Sequence, residues 1–485
     1  MTRRLAPNDS NRRWWTLGAM CFALFMVMLD NTVVNVALPS IQRDLHASIA
    51  GLEWTVNAYT LAFGVLLVTG GRLGDIFGRR KVFLFGVVLF AASSAFIGFS
   101  QSQAWLVAGR ALQGVGAAFM MPATLSIITN AFPPQERGKA IGTWAGVSAL
   151  ALAIGPVVGG FLVEHVSWQS IFFINLPVAA GAVAVTLFAT HESRDETVVP
   201  KIDVGGIATL TIGLTTLTLA LVEANSWGWG SPRIIGLLAL AVAGLAAFAY
   251  VERRAQVPMV DFAFFRARTF LGANLVAFIV SFAMLAMFFF ISLYMQNVLR
   301  FSPLEAGLRF LPTTLMVITI APISGRLADR IGPRPPMTAG LALVAISLLW
   351  QSFLSTDTRY GFLLPGFVLM GIGISLVMAP MSTAAMNSVD RSKAGVASGI
   401  LSMSRMVGGT LGVAVLGAFV GRPGASQEFV HSLGEGLKVG AAVAALGAVV
   451  AWVLISPRLP CPAQSPAAGE VAAPPAEAAH EPVGA

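Results

Sequence analysis

The sequence predicts an all-α polytopic membrane protein, and three observations support that fold class. Apolar residues make up 56% of the 485-residue chain and only 11% of its residues are charged, against about 25% in soluble domains. Fourteen apolar stretches follow one another, each about 20 residues long and therefore able to cross a bilayer as a helix. Basic residues concentrate at alternate connections between these stretches, a pattern typical of cytoplasmic loops.

The fourteen predicted spans are joined by short connections, so no sizeable soluble domain is inserted. They cover residues 16–37, 52–69, 82–98, 105–130, 140–163, 172–190, 204–222, 234–251, 270–296, 307–326, 337–352, 362–385, 395–420 and 437–455. The corresponding domains are a cytoplasmic N-terminal segment (1–15), a six-helix bundle (16–190), two interposed helices with their connections (191–269), a second six-helix bundle (270–456) and a cytoplasmic tail (457–485). The tail is rich in Ala, Pro and Glu, a composition that predicts disorder.

The formal net charge of +8 could indicate a nucleic-acid partner, but the placement of the basic residues favours another explanation. Basic residues follow the second span (79–81) and the fourth (Arg137 and Lys139), whereas Arg43 alone follows the first and none follows the third or fifth. This alternation places both termini in the cytoplasm, and an even span count agrees because it requires the two termini to lie on the same side. We therefore expect the lipid bilayer as the surrounding partner, and no nucleic acid.

Several function classes lack their sequence signals. The two cysteines, Cys21 and Cys461, cannot form a disulfide framework or a zinc cluster, so no metal site is predicted and both thiols are expected to be inert. The glycine-rich stretches lie inside spans, so no phosphate-binding loop for ATP hydrolysis is expected. Five scattered histidines argue against a polytopic membrane enzyme or sensor, which stays an alternative.

The two ends of the chain carry similar segments in the same order. The stretch 70–81 after the second span matches 324–334 after the tenth, with Gly71, Arg72, Asp75 and Gly78 corresponding to Gly325, Arg326, Asp329 and Gly332. A second match joins residues 113–122 to 370–380. Spans 1–6 therefore correspond to spans 9–14, and because six is even the two halves are parallel. Parallel halves related by an axis along the membrane normal are typical of one large class of transporters.

Five motifs together resemble the major facilitator superfamily, and specifically its 14-helix drug:proton antiporter branch. They are Gly71-Arg72-Leu73-Gly74-Asp75-x-x-Gly78-Arg79-Arg80, the run from Leu29 to Pro39, Arg110-x-x-Gln113-Gly114, Gly155-Pro156-x-x-Gly159-Gly160, and the segment from Trp168 to Pro177 that contains Ile171-Phe172-Phe173-Ile174-Asn175. The resemblance covers all fourteen spans. It implies two parallel six-helix bundles with two extra central helices, multidrug efflux and antibiotic resistance.

Ionisable residues at membrane depth are costly and therefore indicate function. Asp30, in the first span, is the candidate for proton coupling, because a poorly hydrated cavity disfavours its charged form and promotes proton binding. Its ionised form could instead neutralise a lipophilic cation, so that proton and substrate compete for one site. The resemblance implies the same coupling role. The alternative is an aspartate that serves packing alone.

Arg110 and Gln113 lie three residues apart on one face of the fourth span, and the resemblance implies that Arg110 takes part in proton transfer. A purely structural arginine is the alternative. Further residues that we expect at the transport cavity are Asn31, Asn35, Asn57, Tyr59, Gln113 and Arg405. Asn31 and Asn35 share a helical face, which fits either cavity lining or helix–helix hydrogen bonding. Glu223, at the end of the seventh span, is read as an exposed loop acid, with a role in an outer vestibule left open.

Two loops and one helix are candidates for gating. The resemblance implies that Gly71, Arg72, Gly74, Asp75, Gly78, Arg79 and Arg80 tie helices together on the cytoplasmic side. The second loop, with Gly325, Arg326, Asp329 and Gly332, departs from the pattern because it continues as Pro-Arg-Pro-Pro. Gly155 and Pro156 are expected to interrupt the fifth span, where Gly142, Gly146, Gly159 and Gly160 predict close packing. The resemblance implies that this helix prevents leak.

The sequence thus predicts a secondary active exporter of lipophilic, often cationic drugs, driven by the proton gradient and needing no cofactor. Its partners are a small lipophilic substrate and protons, with one proton exchanged per cycle at Asp30. We expect a monomer in the inner membrane of a bacterium, the source indicated by the excess of Arg over Lys. A dedicated exporter of a self-made antibiotic, siderophore or lipid on the same fold is the main alternative.

Overall fold

The computed structural model describes residues 11–194, 201–256, 258–260, 262–389, 394–420 and 426–457. Cys461, the first ten residues and nearly all of the C-terminal tail lie outside them. The described chain is helical and contains no strand. Its helices are α1 (Arg12–Asp44), α2 (Ile49–Phe77), α3 (Arg79–Gly98), α4 (Gln103–Ala131), α5 (Pro134–His165), α6 (Ser170–Phe173), α7 (Asn175–Ala189), α8 (Val204–Trp227), α9 (Pro232–Arg254), α10 (Arg268–Leu293), α11 (Pro303–Arg309), α12 (Leu311–Ile331), α13 (Arg334–Gln351), α14 (Tyr360–Asn387), α15 (Ala394–Phe419) and α16 (Ser426–Leu454).

Each of the fourteen predicted spans overlaps a helix, but the count of fourteen crossings is not confirmed. Twelve helices in the described chain are long and apolar enough to cross a membrane. The helices α5 and α13 are not among them. The helix α13 has Arg334 and two prolines at one end and Gln351 at the other, which dilutes a short apolar run. A multi-pass membrane protein is nonetheless established.

The helices form two groups that match the two sets of six spans. In the first group α4 packs on α2 and α3, and α1 packs on α5 and α7. In the second group α10 packs on α15 and α16, and α14 packs on α12 and α13. The interposed helices α8 and α9 pack on each other, and α8 also contacts both α2 and α15. The extra pair therefore lies beside the seam between the two halves.

Several helices extend beyond their predicted spans. The helix α2 continues to Phe77, so that most of the glycine-rich stretch predicted as a loop is helical, and only Gly78 separates it from α3. The helix α5 runs unbroken past Pro156, which corrects the expected interruption. A proline removes one backbone hydrogen bond, but contacts on both sides of α5 hold the helix together. Hydropathy marks the apolar centre of a helix and not its polar ends.

Candidate functional site

A buried ion pair lies at the centre of the first helix group. One Nη of Arg110, on α4, donates to Asp30 Oδ2, on α1, at 2.6 Å. The side chain of Asp30 is 0% exposed and that of Arg110 is 2% exposed. Arg110 Nε donates to the carbonyl of Thr55 at 2.9 Å, and the guanidinium lies 4.2 Å from the centre of the Tyr59 ring. Both charges are thus compensated inside the protein, which a buried pair requires.

The ion pair belongs to a hydrogen-bond network that joins five helices, including α2 through Thr55. Gln113 Nε2 donates to Asp30 Oδ1 at 2.9 Å and to Ser94 Oγ, on α3, at 2.8 Å. Arg110 also donates to the side-chain oxygen of Gln113, and Asn175, at the start of α7, donates to Ser94 Oγ at 3.2 Å. Both carboxylate oxygens of Asp30 therefore accept hydrogen bonds, the arrangement of an ionised carboxylate.

A cavity of about 540 Å³ lies between the two halves. It opens beside Asp75 and Arg79, on the side of the molecule that carries the basic segments 79–81 and 137–139, which we call the basic side. Its apolar lining includes Met28, Phe63, Met121, Trp144, Met259 and Met406, and its charged lining residues are Arg72, Asp75, Arg79, Asp203 and Arg405. Methionine and aromatic side chains adapt to ligands of varied shape. A second cavity, of about 690 Å³, lies within the first half, between the basic-side ends of α1 and α4 and the chain after α7.

The structure places one of the six expected cavity residues, Arg405, in the lining of the interface cavity. Asn31 and Asn35 donate to the carbonyls one turn earlier in α1. Asn57 is fully buried, and its amide has no hydrogen-bond partner within the described chain. The ring of Tyr59 lies against Arg110 and Gln113 belongs to the ion-pair network, so both act on Asp30 rather than on the cavity surface.

On the side opposite the basic side, the two halves are in direct contact. Ser292 Oγ, on α10, donates to the carbonyl of Asn35 at 2.7 Å, and Gln296 Nε2 donates to the carbonyl of Val36 at 2.9 Å. Midway along the seam between α2 and α15, the hydroxyls of Thr60 and Thr410 lie 2.6 Å apart. The cavity is therefore open on the basic side and closed on the opposite side.

The glycines of the fifth-span motif allow close contacts of α5 with α1 and α11. A Cβ on Gly159 would lie 2.9 Å from Val33 Cα, and one on Gly160 would lie 2.6 Å from the carbonyl oxygen of Pro303. Gly155 faces Thr32 equally closely. Gly142 and Gly146 have open space instead, so the expectation of close packing is wrong for those two positions, which precede the contact region.

The first gating motif is half-buried and bonded on several sides. Arg79 donates to Asp75 at 2.8 Å across the helix break at Gly78, where φ is +109°. Arg72 Nε donates to the carbonyl of Lys201. The carboxylate of Glu192, which follows α7, accepts from the backbone nitrogens of residues 80 and 81 at 3.0 and 3.2 Å. Glu192 therefore caps the start of α3, a role that the sequence analysis did not assign. The sequence signal for this role was an acidic residue placed directly after the sixth predicted span.

The second gating motif lacks these contacts. Arg326 and Asp329 are exposed, and Asp329 forms no ion pair within the described chain. Gly325 faces open space, and Gly332 has φ of +86°. Arg334 lies 3.9 Å from the ring of Trp452 instead of pairing with an acid. The proline-rich continuation removes backbone donors and so changes how α13 begins.

Glu53 is a buried acid that the sequence analysis missed. It lies in the first turns of α2, is 2% exposed, and one of its oxygens has no hydrogen-bond partner within the described residues. It packs against Gly417 of α15, where a side chain would collide with the carboxyl group. Glu223 is near enough to interact electrostatically with Glu53, and it is a half-buried residue of α8 rather than a loop acid.

Comparison with known proteins identifies the family. The model of the Major Facilitator Superfamily matches residues 20–413, most of the chain. The chain belongs to the Major Facilitator Superfamily. A solved relative in fold is a bacterial homologue of the human lysosomal transporter Spinster in an inward-facing, unoccupied conformation, with a TM-score of 0.65 and 18% identity over 91% of this chain and 97% of that one.

Relatives in sequence place this superfamily member in the drug-resistance and efflux branch. It is 41% identical to a tetracenomycin C resistance and export protein from Streptomyces glaucescens, over 84% of this chain and 76% of the relative. It is 37% identical to a multidrug resistance protein from Mycobacterium tuberculosis, over 83% of this chain and 75% of the relative. The predicted family and fold class are therefore confirmed.

Proposed function

We propose that this protein exports lipophilic drugs or antibiotics from the cytoplasm in exchange for protons. Membership of the superfamily and relatives named for resistance and export support a drug exporter. The buried pair of Asp30 and Arg110 supports proton coupling. A single carboxylate fully engaged by Arg110 and Gln113 in the conformation open on the basic side is suited to have released its proton there.

In this scheme the ion pair separates when the molecule opens on the opposite side. Asp30 then accepts a proton from the outside, and Arg110 keeps its bonds to Thr55 and Tyr59. Return to the conformation described here brings Arg110 back to the carboxylate and expels the proton into the cytoplasm. Substrate occupies the interface cavity in one phase of the cycle, as alternating access requires.

The charge pattern and the family support the remaining expectations. We infer a bacterial cell-membrane protein with both termini in the cytoplasm, because basic residues concentrate at alternate connections. It acts as a monomeric transporter rather than an enzyme, and the proton gradient supplies its energy in place of a cofactor. The domain limits and the fourteen crossings stay predictions.

Replacing Asp30 by Asn tests the coupling. In liposomes with an imposed pH gradient and an internal pH-sensitive dye, the unmodified protein should move protons when a substrate is added, whereas Asp30→Asn should reduce that flux to the background of empty liposomes. The matched control is Asp357→Asn, an exposed acid outside the ion-pair network. Binding of the same substrate by both variants verifies folding. Persistent substrate-driven proton flux in Asp30→Asn contradicts the assignment.

A second candidate function is the dedicated export of one self-made compound, and a relative named for a single antibiotic, tetracenomycin C, favours it. The relative named for multidrug resistance favours the export of many unrelated compounds. Efflux measured for a panel of unrelated lipophilic compounds separates the two functions. A single transported chemical class supports the dedicated exporter.

A further inference from the structure

Arg405 is the one charged residue lining the interface cavity that has no protein partner within the described chain. Asp75 and Arg79 pair with each other, and Arg72 donates to a backbone carbonyl. Asp203 caps the first turn of α8 with one carboxylate oxygen, and its other oxygen has no hydrogen-bond partner within the described residues. The positive end of the helix dipole of α8 stabilises the negative charge of Asp203. Arg405 forms no ion pair, and its buried Nε has no acceptor. The cavity therefore contains an uncompensated cation.

The acid expected to bind a cationic substrate is not available to this cavity. Asp30 is 0% exposed and both of its oxygens accept hydrogen bonds from Arg110 and Gln113. The cavity reaches α1 at Met28 rather than at Asp30. A cationic ligand that enters from the basic side would therefore meet the positive charge of Arg405, halfway along α15, and would not reach the carboxylate of Asp30.

The other residues that line the cavity around Arg405 indicate which kind of ligand would fit there. Met406, next to it on α15, faces the cavity together with Phe63, Met121 and Met259. Trp144 also lines the cavity. An apolar, aromatic and methionine-rich surface that contains one unpaired cation fits a flat apolar molecule that carries an acceptor oxygen.

We propose that Arg405 binds an anionic oxygen, a carboxylate or an ionised phenol, of an amphipathic aromatic substrate in the interface cavity. This inference rests on the export function proposed above and specifies its substrate class. It replaces the expectation of a cationic substrate, because the charge of the available site is positive.

A matched pair of ligands tests the proposal on the purified full-length protein. Pyrenebutyric acid and its methyl ester share the aromatic group and differ in one charge. Energy transfer from protein tryptophans to pyrene reports binding, with detergent alone as the blank. We expect the acid to bind about tenfold to a hundredfold more tightly than the ester, as a charge-assisted hydrogen bond in a partly buried site predicts.

Arg405→Gln should abolish that preference by weakening acid binding while leaving ester binding unchanged. Arg405→Lys should retain part of it, and Arg330→Gln, an exposed arginine on α12, should retain all of it. Unchanged ester binding shows that a variant is folded. Equal binding of acid and ester by the unmodified protein, or an undiminished preference in Arg405→Gln, overturns the proposal.

The pH dependence of the unmodified protein provides a test that needs no variant. The preference for the acid should disappear as the pH falls through the pKa of the ligand's own carboxyl group, and ester binding should stay constant. A preference that persists for the protonated ligand contradicts the proposal. The binding assay uses no proton gradient, so an absent preference for the acid contradicts the role of Arg405 and does not bear on proton coupling. Absent proton flux in liposomes contradicts proton coupling and does not bear on the role of Arg405.

Discussion

The two halves of the molecule each place an arginine in the middle of a helix, and the two arginines have opposite surroundings. Arg110, in the first half, donates to Asp30, Gln113 and Thr55 and lies over the Tyr59 ring. Arg405, in the second half, has no such partner within the described chain. The two arginines do not occupy corresponding positions of the repeat, because Arg110 aligns with Phe367 on α14 whereas Arg405 lies on α15. Each half therefore carries an intramembrane charge of its own, in its own surroundings.

This difference separates two tasks that one acid was expected to perform. In the proposed mechanism the first half contains an ion pair whose carboxylate binds a proton only when Arg110 moves away from it and releases the proton when Arg110 returns. The second half contributes Arg405, which has no counter-charge within the described residues and which, in the proposed mechanism, an anionic ligand compensates. Proton and substrate then need not compete for one carboxylate; they are coupled through the movement of the two halves.

The largest expected difference between the two arginines is in stability. Arg110→Gln leaves the Asp30 carboxylate buried without its counter-ion, and should lower the free energy of unfolding by about 3–5 kcal/mol. The double variant Asp30→Asn with Arg110→Gln should recover most of that loss. Arg405→Gln removes no protein partner and should change stability by less than about 1 kcal/mol. Denaturant unfolding in detergent measures all three, and equal losses for both arginines contradict the comparison.

A smaller effect is expected from glycines on the two parts of α5. Gly159→Ala places a methyl group against the backbone of Val33 and should destabilise the protein by about 1–3 kcal/mol. Gly142→Ala enters open space and should stabilise the helix by about 0.5–1 kcal/mol, since alanine restricts the unfolded chain. Thermal unfolding of both variants checks this contrast. A stable Gly159→Ala variant would show that α1 and α5 can separate at little cost.

The smallest effect concerns the two gating motifs. Asp75→Asn weakens a half-buried pair with Arg79, and should lower efflux severalfold while costing about 0.3–0.5 kcal/mol of stability, the usual strength of a pair four residues apart. Asp329→Asn alters an exposed acid that forms no ion pair within the described residues and should leave both quantities unchanged. Initial efflux rates from liposomes give the comparison. An equal loss in Asp329→Asn would show that the second motif also stabilises one state of the cycle.

Much of the candidate site could be anticipated because a charge within an apolar span is conspicuous in a sequence. Asp30 and Arg110 were singled out in this way, and Gln113 by its position three residues after Arg110; the structure brings the three together. Glu53 escaped because it lies at the end of a span, where an acid is expected to face water. Its burial against Gly417 depends on the neighbouring helix α15, and no local pattern in α2 specifies that neighbour.

The sequence by itself determined the solvent of this protein, its helical class and the duplication of its halves. Those properties depend on the hydropathy, spacing and repetition of residues along the chain. Only the tertiary structure decided that Asp30 is sealed behind Arg110, that Arg405 is left open to the cavity, and that Gly159 rather than Gly142 meets a neighbour. The physical reason is that pairing and burial depend on which helix faces align across the two halves, and residues hundreds of positions apart set that alignment.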